Sequence, residues 1–203
     1  STLGEGGMIS TNKKNIYEFC KKYINHGTNL KNNKDTEKFI YNKDNFGTNL
    51  RLTKIQSLSG LEQLKNLKKI QKKREKISKS YFNLISNYNK YFYCYYPSKK
   101  IKSAWYRFYF FIKIDIKNYQ TLRLKLIKNL KKNNLRCFTG SCPEIYLEKA
   151  FKRLNNYKKI KLSNCETLGK TSIALDINHT LEYFKYKNKI LILKKVIEQT
   201  LQI

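Results

Sequence analysis

The sequence predicts a small α+β domain over its second half, joined by a long helix to a strand-and-helix segment at its start. Three observations predict this. Apolar residues recur at three- and four-residue steps from 52 to about 88, the period of one helix face. Beyond residue 90 the pattern changes to aromatic, β-prone runs alternating with short amphipathic stretches. The order strand, strand, helix, strand, helix, strand, helix then reads as α+β.

In chain order, LGEGGMIS at residues 3–10 reads as a glycine turn running into a short apolar strand. Thr11 and Asn12 are candidate N-caps for a helix over 13–24, with Ile16, Phe19, Cys20 and Tyr23 on one face. His26-Gly27 ends it, with glycine near the C-cap. A cationic His26 there would suit the helix dipole. Residues 28–49 are polar and lack helical period, and a loop of that length is usually functional or disordered. Phe39, Ile40, Tyr41 and Phe46 predict that part of it packs, as a hairpin.

The long helix carries Ile55, Leu58, Leu61, Leu64, Leu67, Ile70 and Ile77, with Lys65, Lys68, Lys69, Lys72 and Lys73 as its solvated face. Strands are predicted within 91–96 and 104–115, where Trp105 reads as core. A helix follows over 118–133 through Leu122, Leu126, Ile127 and Leu130, then a short strand at 135–138. A helix over 143–154, a strand over 171–177 and a last helix capped by Thr180 complete the reading. His179 receives no role.

The net charge is +29, from 43 Lys and Arg against 14 Asp and Glu. A basic surface can serve nucleic acid or anionic lipid. The cations are mostly lysines spread along the chain, whereas nucleic-acid binders concentrate them on one element. Lys, Asn, Ile, Tyr and Phe also share A/T-rich codons, so biased composition accounts for the charge. With 16 Tyr and 11 Phe, a packed core is feasible and disorder is not expected. Five cysteines at irregular spacing, with no CxxC pair, exclude a zinc pattern and fit reduced thiols in a cytoplasmic protein. No apolar run reaches membrane-spanning length and no signal peptide opens the chain. A first residue other than Met, inside a glycine-rich strand pattern, predicts that the sequence begins within a longer protein.

No GxSxG, P-loop, HExxH or dinucleotide fingerprint is present, and Gly4-Glu5-Gly6-Gly7 alone is only a turn. The order of several segments is more specific. Leu3-Gly4-Glu5-Gly6-Gly7-Met8-Ile9 comes first, then a helix ending in Asn25-His26-Gly27. Gly47-Thr48-Asn49-Leu50-Arg51-Leu52 leads into Ile55-Gln56 and Gly60-Leu61-Glu62-Gln63-Leu64. Ser103-Ala104-Trp105-Tyr106 and Gly140-Ser141-Cys142-Pro143-Glu144-Ile145-Tyr146 follow. Taken in this order, they resemble the DegT/DnrJ/StrS sugar aminotransferases, over nearly the whole chain and most strongly over residues 3–70.

The resemblance implies an α/β fold class: the C-terminal portion of a fold-type I aminotransferase dependent on pyridoxal 5'-phosphate (PLP). Residues 1–51 would end the large PLP-binding domain and carry an intersubunit loop. Residues 52–90 would form a long linking helix, and 91–203 the small C-terminal α+β domain. The activity implied is transfer of an amino group from L-glutamate to a keto group of a nucleotide-linked deoxysugar, by a homodimer without nucleic-acid or membrane partners. The Schiff-base lysine of the family lies just upstream of the GEGG segment, so it would precede Ser1, and this piece alone would be inactive. It would also expose a bare sheet edge at 3–10 and self-associate.

Two cofactor-binding positions carry over. The Asn of G-x-N-x-R, here Asn49, would reach across the dimer to the partner's PLP phosphate, where a turn residue or helix cap is the plainer alternative. Arg51 would bind phosphate or carboxylate, or else pair within the loop. The sugar-lining region reads FTGSCPEIY without the family's common histidine, leaving Ser141, Glu144 and Tyr146 as substrate-binding candidates. The alternatives are a basic nucleic-acid-binding module and the family's dehydratase branch, which uses pyridoxamine phosphate.

Overall fold

The computed structural model describes residues 4–29, 43–140, 142–153, 161–180 and 182–203. Contacts divide the chain into two compact units, Ser1–Leu67 and Lys68–Ile203.

In the first unit, residues 4–10 form no strand. Met8 and Ile9 are exposed, and among the described residues this backbone has no ladder partner, without which a strand does not form. Helix α1 spans Lys14–Tyr23. Neither Thr11 nor Asn12 caps it. Lys13 is the N-cap, and Thr11 Oγ1 instead accepts a hydrogen bond from Lys13 N at 3.1 Å. The apolar face of α1 is present, with Phe19 stacked on Tyr23 at 5.9 Å, but none of its residues is buried. Of the residues expected to pack in the following loop, Phe39, Ile40 and Tyr41 lie outside the described residues. Phe46 packs against nothing, being 99% exposed.

Helix α2 (Lys54–Ser86) starts in the first unit and ends in the second. Thr53 and Gln56 cap it reciprocally. Thr53 N donates to Gln56 Oε1 at 2.9 Å, and Gln56 N donates to Thr53 Oγ1 at 3.3 Å, a capping box. Its apolar stripe divides in two. Ile55, Leu58, Leu61, Leu64 and Leu67 are exposed, while Ile77, Tyr81, Leu84 and Ile85 are buried.

The second unit is built on a four-stranded antiparallel sheet in the order β1-β2-β4-β3. The strands are β1 (Phe92–Cys94), β2 (Arg107–Ile112), β3 (Cys137–Phe138) and β4 (Ser172–Asp176). Strand alternation turns Phe108, Phe110 and Ile112 inward and leaves Arg107, Tyr109 and Phe111 half-buried on the other side. Register pairs Phe110 with Ile173 and Phe108 with Leu175. This face joins one core with α2, α3 (Tyr119–Lys132) and α6 (Tyr183–Leu201), through Ile85, Leu126, Leu130, Leu193 and Ile197. Burying each such side chain fully contributes about 1.5–3 kcal/mol. Trp105 is half-buried against this cluster.

Three expectations fail in this unit. Of the helix expected over 143–154, the described residues 143–153 form no continuous helix: a 3₁₀ turn (Ile145–Leu147) and a short helix α4 (Lys149–Lys152) are separated by Glu148, whose ψ of 146° is extended. Helix α5 (Ser163–Thr171) was not anticipated, because SNCETLGKT has no apolar period. Thr180 does not cap α6. The N-cap is Glu182, and Thr180 N and Oγ1 both donate to Asn178 Oδ1, at 2.9 and 2.6 Å.

Tyr88, two residues past the end of α2, donates its hydroxyl proton to Glu198 of α6 at 3.0 Å. Burial, then that bond, pushes the phenol up to about 12 from its ordinary 10. The fold thus favours the protonated phenol. Its contribution is complete below pH 10 and is lost as pH rises toward about 12. The stability advantage of the chain over its Tyr88→Phe variant, read from thermal melts, should be constant at neutral pH and shrink through this alkaline window. Among the described residues no helix is long and apolar enough to cross a membrane, and no three His, Cys, Asp or Glu gather as metal ligands.

Candidate functional site

The end of α1 positions the first cluster of candidate residues. After Ile24 the chain turns through His26 and Gly27, both left-handed, at φ 58° and 72°. Gly27 N closes the turn onto Lys22 O at 2.8 Å. The segment 43–50 then lies directly on this turn. Thr48 N donates to Tyr23 O, His26 N to Thr48 O and Leu50 N to Ile24 O, at 2.9 to 3.2 Å. Asn25 bridges Asn49 and Thr28 bridges Lys43.

Two glycines make this close crossing possible. A Cβ on Gly27 would fall 1.6 Å from Asn45 O, and one on Gly47 would fall 2.4 Å from Gly27 N. Lys22 pairs with the Asp44 carboxylate, and that hydrogen bond holds Asp44 below the usual carboxylate range.

Asn49 and Arg51 stand exposed on this pinned turn. Asn49 Oδ1 accepts from Arg51 N at 3.3 Å, so the side-chain carbonyl is used locally and the NH₂ group is the end left for an acceptor. The Arg51 guanidinium donates to Asn25 Oδ1. The turn role and the exposed donor therefore coexist in Asn49. Past Arg51, Gln56 Nε2 donates to Glu5 O at 3.2 Å, tying the GEGG segment to the start of α2.

The second cluster lies in the other unit. Arg123 donates to Ser172 O at 2.9 Å and Thr139 O at 3.0 Å, fixing the chain ahead of Gly140, which is left-handed at φ 98°. Tyr146 OH donates to Glu144 Oε1 at 2.7 Å and accepts from Leu162 N at 3.3 Å. The bond to Glu144 raises the Tyr146 phenol above its ordinary value. Glu144 and Tyr146 are thus brought together, both half-buried, whereas Ser141 lies outside the described residues. His179 Nδ1 accepts from Arg74 Nε at 3.4 Å, and burial followed by that cation lowers its pKa, which favours a neutral structural imidazole.

A family model described as the DegT/DnrJ/EryC1/StrS aminotransferase family matches residues 1–188. The chain belongs to this family. An uncharacterized protein of Methanocaldococcus jannaschii is 30% identical over 181 residues, covering 87% of this chain and 45% of that one. The UDP-4-amino-4,6-dideoxy-N-acetyl-beta-L-altrosamine transaminase of Helicobacter pylori is 34% identical over 103 residues, 51% of this chain and 26% of that one. The crystal structure of an aminotransferase from Psychrobacter cryohalolentis superposes with a TM-score of 0.84 at 22% identity, covering 94% of this chain and 51% of that one. The chain therefore spans about half the length of these proteins or less, with the α/β fold of a fold-type I aminotransferase.

DegT-family aminotransferases depend on PLP. Asn49 and Arg51 fit the anionic end of that cofactor: an exposed amide donor and a guanidinium with N–H groups to spare, on a turn whose backbone is fixed. The residues that fix this turn carried no signal in the sequence reading. Asn25, which holds Arg51, was read only as part of a helix end. The spacing Thr53-x-x-Gln56 is itself a capping-box signature and marks the start of α2 at Lys54, two residues after Leu52.

Proposed function

We propose that this chain is part of a DegT-family enzyme that moves an amino group from L-glutamate to a keto group of a nucleotide-linked deoxysugar, as a homodimer in the cytoplasm. In this reading residues 1–51 end the large domain, 52–90 link and 91–203 form the small domain. When bound, PLP supplies an electron sink at the carbon that loses or gains the amino group. Asn49 and Arg51 bind the phosphate of the partner subunit's cofactor and so orient it. Glu144 accepts hydrogen bonds from sugar hydroxyls, Tyr146 holds that carboxylate in place, and Ser141 joins them by its position in the sequence.

The observation that carries the reading is the exposed amide of Asn49 on a turn pinned by the Gly27–Gly47 crossing. A phosphate ligand needs donors that do not reorganise on binding. The relative from Helicobacter pylori, a transaminase of a UDP-linked amino sugar, supports the substrate class.

The test uses the intact protein from which this chain derives. It should take up PLP, seen as visible absorbance that L-glutamate bleaches, and should then aminate a keto-deoxysugar nucleotide. Failure to take up PLP contradicts the reading. Loss of a sugar hydroxyl without gain of nitrogen moves the protein to dehydratase chemistry.

A further inference from the structure

Arg123 of α3 directs its charge at two backbone carbonyls. It donates to Ser172 O at 2.9 Å and to Thr139 O at 3.0 Å. The guanidinium is half-buried, and among the described residues no carboxylate pairs with it. Burial accordingly lowers its pKa, against the cation. A cation drawn partly out of water without a counter-ion is an unfavourable way to fill space, so the two carbonyls are what the position serves. A planar fork spans both of them, which an ammonium cannot do.

Both carbonyls stand where the stretch bearing Glu144 and Tyr146 is anchored. Ser172 follows α5 directly and opens β4, and Thr139 follows β3. Thr139 O also accepts from Ser172 Oγ at 2.7 Å, so both its lone pairs are engaged. At Gly140 the chain leaves the sheet with φ 98°, so close that a Cβ there would fall 3.1 Å from Ser172 Oγ. Downstream, Pro143 lies against Gly169 of α5, where a Cβ would fall 2.4 Å from the ring. Tyr146 OH accepts from Leu162 N, the N-cap residue of α5, at 3.3 Å. The stretch is thus held near both ends of α5, and Arg123 ties the last residue of that support to the point where the chain departs.

We propose that Arg123 is a positioning residue for the sugar substrate, acting through Thr139 and Ser172 to hold Glu144 and Tyr146 where sugar hydroxyls meet them. This role rests on the sugar-binding part given to Glu144 above. A binding group is only as well placed as the residues that support it, and here the support is one guanidinium and the two carbonyls it joins.

The test uses the intact protein and separates its two half-reactions. Bleaching of bound PLP by L-glutamate does not draw on Glu144, whereas amination of the keto-deoxysugar nucleotide does. Arg123→Met removes the donors and keeps an unbranched stem. It should raise the KM for the sugar nucleotide about tenfold or more and leave the rate of bleaching by glutamate unchanged. Arg123→Lys should lie between, since it reaches one carbonyl only. Lys125→Gln, with the same change of charge at an exposed position of α3, should match the wild type. Ser172→Ala removes the other bond to Thr139 O and should raise the same KM by a smaller factor, and it serves where Arg123→Met does not fold. An unchanged KM, or a lowered thermal melt with parallel losses in both half-reactions, would overturn the proposal.

Hydrogen exchange separates this role from the aminotransferase function. A wild-type protein that takes up no PLP contradicts that function. Exchange needs neither PLP nor turnover. In Arg123→Met it should quicken at Leu147, Glu148 and Leu162, whose N–H groups are bonded within the held stretch or to it, while β2 and β4 stay protected. Unchanged exchange at these three residues contradicts the positioning role.

Discussion

Asn49→Asp in the intact protein is expected to weaken PLP binding by a factor of about 100 or more. Asn49 is exposed, and its carbonyl is already used by the backbone N–H of Arg51, so the NH₂ group is what it offers a ligand. Losing a hydrogen bond to a charged group costs about 1.5–3 kcal/mol. Placing a carboxylate near a phosphate about 4 Å away adds roughly 1–4 kcal/mol of repulsion, depending on local screening. The combined loss is about 2.5–7 kcal/mol, or roughly two decades in affinity at the least. Asn49→Ala should lose only the hydrogen bond, about one to two decades. Dialysis against graded PLP with absorbance readout measures both. Equal affinities for the two variants would remove phosphate from the vicinity of residue 49.

The second large effect is expected at Gly27, far from any chemistry of its own. Gly27→Ala should cost PLP binding at least as much as Asn49→Ala. A left-handed φ of 72° disfavours alanine by about 1–2 kcal/mol. The new methyl would also lie 1.6 Å from Asn45 O, so segment 43–50 has to lift off the end of α1. Lifting it breaks the bonds from Thr48 and Leu50 that set the position of Asn49. Hydrogen exchange at residues 43–50 should rise while the sheet of the second unit stays protected. Gly4→Ala is the control: its φ is likewise left-handed, at 79°, but nothing lies within 4 Å of its Cβ. Should Gly4→Ala and Gly27→Ala behave alike, backbone strain alone would explain the effect and the crossing would not be what holds the turn.

Much of the second unit was legible in the sequence, because burial there follows local period. Phe108, Phe110 and Ile112 alternate as a half-buried strand requires, and Leu126, Ile127 and Leu130 fall on one helix face. Helix α5 was not legible: its residues have no apolar period, and the close approach of Gly169 to Pro143, where a Cβ would fall 2.4 Å from the ring, leaves no periodic trace. In the first unit the apolar patterns of 3–10, 13–24 and 52–67 are real, yet none of their described apolar residues is buried, so period alone did not tell core from surface. Asn49 and Arg51 were singled out as candidates from ordered motifs. What fixes them, the crossing of Gly27 with Gly47 and the hold of Asn25 on Arg51, joins residues some 20 or more positions apart and has no local signature.

The most direct test of Asn49 acting across a dimer is subunit complementation. One variant of the intact protein lacks the cofactor-binding lysine and keeps Asn49; the other keeps the lysine and carries Asn49→Asp. Each homodimer is impaired. A mixed dimer contains one site with both groups intact only if Asn49 serves the partner's cofactor. Unfolding and refolding the two together should then restore up to about half of the wild-type activity per mixed dimer. Activity no higher than that of the separate variants would place Asn49 in its own subunit's site and contradict the account.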